Sequence, residues 1–87
     1  MDYYKIRWKE SAVKELKRID KQFIPKIISA VESLSNNPLP NGIKKLSGAE
    51  FTYRIRIGDY RVIYSLSEKE LTIEIIRAGH RKDVYRK

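Results

Sequence analysis

The chain has 87 residues, no cysteine, and 19 lysines and arginines against 11 aspartates and glutamates, for a formal net charge of +8. A chain this short builds one hydrophobic core, and without cysteine it has neither a disulfide framework nor a thiolate metal site. It contains no apolar stretch of about 18 residues and does not begin with a basic and then apolar segment. We therefore expect one domain, residues 1–87, that is cytoplasmic and not associated with a membrane.

The positive charge is large for one small domain and favours polyanionic partners. Nucleic acid is the first expectation and an acidic protein the second, and the two are compatible. His80 is the only histidine, so the chain offers few metal ligands. Neither a metal nor another cofactor is expected.

Residues 3–8 alternate between apolar and polar side chains, which predicts a half-buried strand. Over residues 10–20 the apolar residues recur every three to four positions, the period of an amphipathic helix. The same spacing over residues 24–34 predicts a second helix, antiparallel to the first, with Pro25 tolerated in its first turn. The segment 36–42, NNPLPNG, ends this helix as a loop.

The segment 53–64, YRIRIGDYRVIY, alternates strictly around one Gly-Asp turn and predicts a β-hairpin. A two-residue turn places Arg56 opposite Arg61, with Arg54 one pair further along the same face. Like charges directly opposite on a sheet cost up to ~1 kcal/mol, so folding alone does not favour this placement. The arginines form either an ordinary solvated face or a functional anion-binding surface.

Residues 71–77 predict a fourth strand beside the hairpin, in a register that sets Glu74 next to Ile63. The element order is then β-α-α-β-β-β. This order predicts an α+β fold in which two antiparallel N-terminal helices pack on one face of a small, twisted, mainly antiparallel four-stranded sheet. The arginines lie on the face that the helices leave uncovered.

The tail, residues 78–87, is expected to fold Arg81 and Tyr85 over the arginines. Guanidinium groups on phosphates and a tyrosine on an unstacked base suit single-stranded RNA. Cleavage of RNA by its own 2′-OH requires positioning and charge stabilisation more than covalent help from the protein. Because arginine stays protonated, the candidates for a general base are His80, Glu74 and Tyr85.

These motifs resemble the RelE/ParE-like toxins of bacterial and archaeal toxin–antitoxin systems, and within them the RelE branch. The likeness covers almost the whole chain: WKESA at 8–12, KEL at 14–16, NP at 37–38, KKL at 44–46, the hairpin at 53–64 and GHRKDVY at 79–85. The opening and the loop are shared with ParE-like gyrase inhibitors. The hairpin arginines and the GHR and VY residues of the tail distinguish the RelE branch.

The resemblance implies a metal-independent, ribosome-dependent endoribonuclease that cuts mRNA in the A site by 2′-OH attack and so inhibits translation. It implies that Arg61 stabilises the transition state, that Arg81 acts on the leaving 5′ oxygen, and that Tyr85 stacks on the substrate base.

Three positions depart from the best-known bacterial member, which has lysines there. Arg54 and Arg56 keep the ability to bind phosphate, and Arg54 is also counted among the catalytic candidates. His80 is the candidate replacement base. The expected RNA-binding residues are Arg54, Arg56, Lys44, Lys45 and Lys82.

The resemblance also implies a cognate acidic, RelB-like antitoxin that wraps the toxin, with the ribosome and mRNA as further partners and no small-molecule cofactor. Two alternatives stay open. One is a ParE-like protein that inhibits DNA gyrase without being an enzyme. The other is a RelE-fold binder of RNA or antitoxin with weakened catalysis.

Overall fold

The computed structural model describes residues 3–46, 48 and 50–80, and within them it contains two helices and five strands. The elements are β1 (Lys5–Trp8), α1 (Glu10–Lys17), α2 (Ile24–Ser33), β2 (Lys44–Lys45), β3 (Thr52–Ile57), β4 (Tyr60–Ser67) and β5 (Thr72–His80). All strands belong to one sheet in the order β1-β5-β4-β3-β2. Neighbours are antiparallel except β1 and β5, which are parallel. The predicted α+β class is confirmed.

The sheet has one strand more than predicted. Strand β2 is only two residues long and pairs Lys44 with Arg54 and Lys45 with Tyr53 at the edge of the hairpin. A segment of two residues is too short to show an alternating pattern, so nothing in the sequence distinguishes it from a loop.

The hydrophobic core lies between the helices and one face of the sheet. Its fully buried members include Ile27 and Val31 of α2, Tyr64 of β4, and Ile73 and Ile75 of β5. Along β3 and β4 the core residues alternate with the hairpin arginines, which therefore project from the opposite face. No helix among the residues that the structure describes is long and apolar enough to cross a membrane.

A β-bulge interrupts the pairing of β4 with β5. Tyr64 pairs with Ile75, but Ile63 pairs with Arg77, so Ile76 is an extra residue on β5. The predicted register, with Glu74 beside Ile63, is wrong.

The bulge reverses the orientation of the residues that follow it, because one extra residue exchanges the two faces of a strand. Before the bulge, Glu74 lies opposite Ser65 on the face away from the helices. After it, Ala78 is buried in the core and His80 pairs with Tyr60. Unbroken alternation from Glu74 would have put both on the arginine side.

Helix α1 covers the edge of β5 where β1 no longer pairs with it. The ladder with β1 ends at Ile75, and the Ala78 backbone N–H then donates to Glu15 Oε1 at 3.2 Å. Arg77 Nη2 donates to the other carboxylate oxygen of Glu15 at 3.0 Å. A side chain thus replaces a strand as the partner of this edge and holds the end of β5 in place.

A buried tyrosine attaches the loop after α2 to the middle of the sheet. The Tyr64 hydroxyl donates to the carbonyl oxygen of Pro38 at 2.6 Å, and its ring lies 5.8 Å from that of Tyr53. Burial, with a smaller contribution from Tyr53, raises the pKa of Tyr64 to about 12. The fold therefore favours the neutral phenol.

Tyr64→Phe removes this hydrogen bond, and we expect it to lower the free energy of unfolding at pH 8 by about 1 kcal/mol. In the unfolded chain the pKa of Tyr64 has its ordinary value of 10.0, and below that pH the buried phenol contributes fully to the free energy of unfolding. This contribution is lost as the pH rises towards 12, the pKa in the folded protein. The loss amounts to about 1.4 kcal/mol at pH 11. The difference between the two proteins should therefore shrink as the pH rises.

Urea unfolding at pH 8 and pH 11 measures this difference. Tyr3→Phe, at an exposed tyrosine, is the matched control and should unfold like the wild type at both values. An unchanged difference between wild type and Tyr64→Phe at pH 11 would contradict the assignment.

Candidate functional site

Three arginines of the hairpin lie together on the face of the sheet opposite the helices. Arg56 pairs directly with Arg61, and Arg54 lies one pair further along, opposite Ile63. This is the arrangement that the alternation predicted. On its other side Arg61 pairs with Gly79 of β5, which adds no side chain beside the guanidinium. We call Arg54, Arg56 and Arg61 the arginine face.

The turn of the hairpin holds two of these guanidinium groups. Arg61 Nη1 donates to the carbonyl oxygens of Gly58 and Tyr60, both at 3.0 Å, and Arg56 Nε donates to the same Gly58 oxygen at 3.3 Å. Gly58 adopts a positive φ of 62°, which turns the chain so that its carbonyl is available. The two like charges thus share one acceptor.

Arg61 is buried, with 8% of its surface exposed, although it carries a charge. Among the described residues its hydrogen bonds are made by Nη1, and no bond of Nε or Nη2 is seen there. A guanidinium that is fixed at one nitrogen is preorganised to bind an anion.

No carboxylate neutralises Arg56 or Arg61 among residues 3–46, 48 and 50–80. The salt bridges there join other pairs: Arg7 with Glu74 at 3.5 Å, Lys14 with Glu10 at 3.8 Å, and Arg77 with Glu15 at 3.0 Å. The positive charges of both arginines are therefore not offset by a described carboxylate.

The structure brings one of the two predicted lysines to the arginine face. Paired residues of antiparallel strands point to the same side. Lys44, opposite Arg54, therefore extends the arginine face, whereas Lys45, opposite Tyr53, points to the other side.

The two described candidates for a general base are distant from the three arginines. Glu74 shares their side of the sheet but lies further along it, and His80 lies on the other side. Glu74 is bound to Arg7 and pairs with Ser65, which is four residues from Arg61 on β4, or about 13 Å at the rise of a strand. The ring of His80 stands edge-on to that of Tyr60, with centroids 5.9 Å apart, on the helix side of the sheet. The other predicted residues, Arg81, Lys82 and Tyr85, lie outside the described residues.

The sequence did not predict an aromatic cluster at the tip of the hairpin. The ring of Phe23, just before α2, lies 5.2 Å from that of Tyr60, which in turn contacts His80. A cavity of about 340 Å³ opens beside these rings. Its lining consists of Phe23, Lys26, Ile27, Ile57, Gly58, Asp59, Tyr60 and His80. An aromatic residue in the short link between two amphipathic helices is the signal that could have indicated it.

The described residues contain no group of three or more histidine, aspartate or glutamate side chains that could hold a metal ion.

Comparison with known proteins gives consistent results. Residues 6–85 match the family model described as the ParE toxin of the type II toxin–antitoxin system parDE. The chain is 28% identical over 85 residues to toxin RelG of Mycobacterium tuberculosis, covering 97% of this chain and 98% of that protein. It is 32% identical over 77 residues to the putative toxin RelE1 of Methanocaldococcus jannaschii, covering 85% and 86%.

Among solved structures, the archaeal RelE–RelB complex from Pyrococcus horikoshii contains a chain with the same fold. It superposes with a TM-score of 0.79 at 30% identity and covers 92% of this chain and 97% of that one.

The position of the two adjacent lysines allows a matched test of the arginine face. Lys44→Ala should weaken binding of a short single-stranded oligonucleotide and reduce the slope of log K against log salt by about 0.7, the value of one phosphate contact. Lys45→Ala, of the same residue type on the opposite side, should leave the slope unchanged. Fluorescence anisotropy over a salt series, with a 2′-deoxy probe, measures both. Equal slopes for the two variants would rule out this face as the binding surface.

Proposed function

Because the chain belongs to the ParE toxin family of type II toxin–antitoxin systems, we propose that it is the toxin of a RelBE-type pair and a ribosome-dependent endoribonuclease. Its substrate is mRNA in the ribosomal A site. The 2′ oxygen forms a bond to the adjacent phosphorus while the bond to the 5′ oxygen breaks. The 2′-OH loses a proton and the leaving oxygen gains one, which gives a 2′,3′-cyclic phosphate and a 5′-OH. Translation stops because the message is cut.

The observation that carries this proposal is the buried guanidinium of Arg61, held by two carbonyl oxygens and neutralised by no described carboxylate. Negative charge grows on the phosphoryl oxygens as the 2′ oxygen attacks. A cation already fixed in place stabilises that charge without reorganising during the reaction. Arg54, Arg56 and Lys44 would hold the flanking phosphates and so align the scissile bond.

The acid and base assignments rest on different grounds. Arg81 at the leaving oxygen and Tyr85 on the substrate base are proposed from the family resemblance. The structure supports neither His80 nor Glu74 as the group that takes the 2′ proton, because both lie away from the arginine face. In this proposal the positive charge of the arginine face lowers the free energy of removing the 2′ proton. His80 takes no part in the proton transfer.

The proposed partner is an acidic antitoxin of the RelB kind. Relatives have been solved as RelE–RelB complexes, and a net charge of +8 suits an acidic polypeptide. An antitoxin lying over the arginine face would block RNA by occupying the same cations.

Inhibition of DNA gyrase is the second candidate function, and the ParE description of the family model favours it. Inhibition of gyrase by binding alone gives no role to a preorganised buried arginine. We therefore keep it as the alternative outcome of the first experiment.

Arg61→Ala should reduce cleavage of ribosome-bound mRNA about a hundredfold, since loss of one charge-stabilising donor costs ~3 kcal/mol of transition-state stabilisation. Primer extension on a translated message, with a ribosome-free reaction alongside, measures the rate. Arg7→Ala removes an exposed arginine elsewhere on the same sheet and should cut like the wild type.

If Arg61→Ala cleaved at the wild-type rate, the assignment of the active site would be wrong. If the wild-type protein made no cuts with active ribosomes, the endoribonuclease proposal would be wrong, and a gyrase supercoiling assay would test the alternative.

His80→Gln should leave the pH dependence of single-turnover cleavage unchanged, because the imidazole lies on the opposite side of the sheet from the arginines. If a histidine were the general base, the log rate would rise with pH and then level off once the imidazole is neutral. Single-turnover rates measured from about pH 5.5 to about pH 8.5 test this. A bend that is present in the wild type and lost in His80→Gln would restore His80 as the base.

A further inference from the structure

The ring of Phe23 lies where the hydrophobic core does not require it. Phe23 is 39% exposed and is not part of the core cluster, whereas Tyr60 packs against that cluster. The Phe23 ring meets Tyr60 at 43°, and Tyr60 meets His80 at 81°. The three rings thus contact one another in turn, with Tyr60 packed on the core and Phe23 exposed to solvent, and we call them the aromatic surface.

The cavity beside the aromatic surface is lined by aromatic, basic and acidic side chains. Its volume of about 340 Å³ is within the range of small-molecule sites, about 300 to 1,000 Å³. Lys26 follows Phe23 by three positions, so both side chains lie on the same side of the start of α2. The exposed ring of Phe23 can stack on a base, Lys26 can contact a phosphate, and Asp59 can accept a hydrogen bond from the edge of the base.

The cavity and the arginine face are separated only by the turn of the hairpin. Tyr60 and Arg61 are consecutive on β4 and point to opposite sides, and Arg61 is bonded to the Tyr60 carbonyl. Gly58 lines the cavity, and no atom lies within 4 Å of the position that its Cβ would occupy. A strand of RNA leaving the arginine face can therefore pass over this turn without meeting a side chain at Gly58.

We propose that the cavity formed by Phe23, Lys26, Tyr60 and His80 binds one unstacked base of single-stranded RNA, as a second contact beyond the arginine face. The β-bulge at Ile76 creates this site, since it turns His80 to the helix side. The inference extends the proposed function but does not depend on cleavage, because the site recognises a base rather than the scissile phosphate. The base can come from the message or from ribosomal RNA.

The test is a thermodynamic cycle between the protein and the oligonucleotide, measured by fluorescence anisotropy without ribosomes. Single abasic positions are scanned along a short 2′-deoxy strand with wild-type protein and with Phe23→Ala. Phe23→Ala should weaken binding of the intact strand about tenfold, the loss typical of one stacked base. One abasic position should weaken wild-type binding to a similar extent and have no further effect on Phe23→Ala.

Phe51→Ala is the matched control. Phe51 is the only other phenylalanine of the chain, is 54% exposed, and precedes β3 at the end of the hairpin strands far from the Gly58 turn. This variant should bind like the wild type. Phe23→Leu, which keeps apolar bulk without a π face, should bind like Phe23→Ala, and both should keep the salt slope of the wild type because no charge is lost.

Any of three results would overturn the inference: no binding of the strand by wild-type protein, equal losses in Phe23→Ala and Phe51→Ala, or abasic effects that are the same in wild type and Phe23→Ala. Primer extension with Arg61→Ala tests the proposed function separately, so either conclusion can fail alone. On programmed ribosomes, an effect of Phe23→Ala that disappears when one nucleotide of the message is abasic would identify the message as the source of the base. An effect that persists at every abasic position of the message would identify ribosomal RNA.

Discussion

The two-residue period of β4 is the constraint on which both faces of the protein depend. Tyr60, Val62 and Tyr64 pack towards the helices, so Arg61 between Tyr60 and Val62 has to project from the other face. Burial of the apolar side fixes the register with β3, and that register sets Arg56 against Arg61. Apolar packing thus holds together two like charges that would move apart on a flexible chain. The Gly58 carbonyl, which both guanidinium groups share, offsets part of their repulsion.

The bulge on β5 determines which of its side chains lie on the same side of the sheet as the arginines. Up to Ile75 the strand follows the alternation that its sequence suggests, and beyond Ile76 the two sides are exchanged. Ala78 joins the core and His80 joins Tyr60, so the single histidine becomes part of an aromatic cluster instead of the arginine face. Glu15 fixes this altered half of the strand by bonding to its backbone.

The features that were predictable from sequence are those set by local patterns. The helical period predicted both helices. A two-residue turn determines the pairing of its own hairpin, so the position of Arg56 opposite Arg61 could be predicted from the sequence. The bulge could not be predicted, because three residues such as Ile75-Ile76-Arg77 fit either register, and the positions of Glu74 and His80 depend on it. The aromatic cluster requires contact between the link before α2 and the hairpin, which is a tertiary relation. The roles of Arg81, Lys82 and Tyr85 stay predictions.

The parallel pairing of the first and last strands affects when the protein acquires its shape during its own synthesis. Lys5 pairs with Thr72 and Trp8 with Ile75, so the N-terminal strand has no partner in the sheet until the C-terminal strand has been made. Contacts between residues so distant in the chain form late. The helices can form while the chain is still growing, but the sheet is completed only once β5 has left the exit tunnel. Any function that requires the complete sheet therefore begins only after that point.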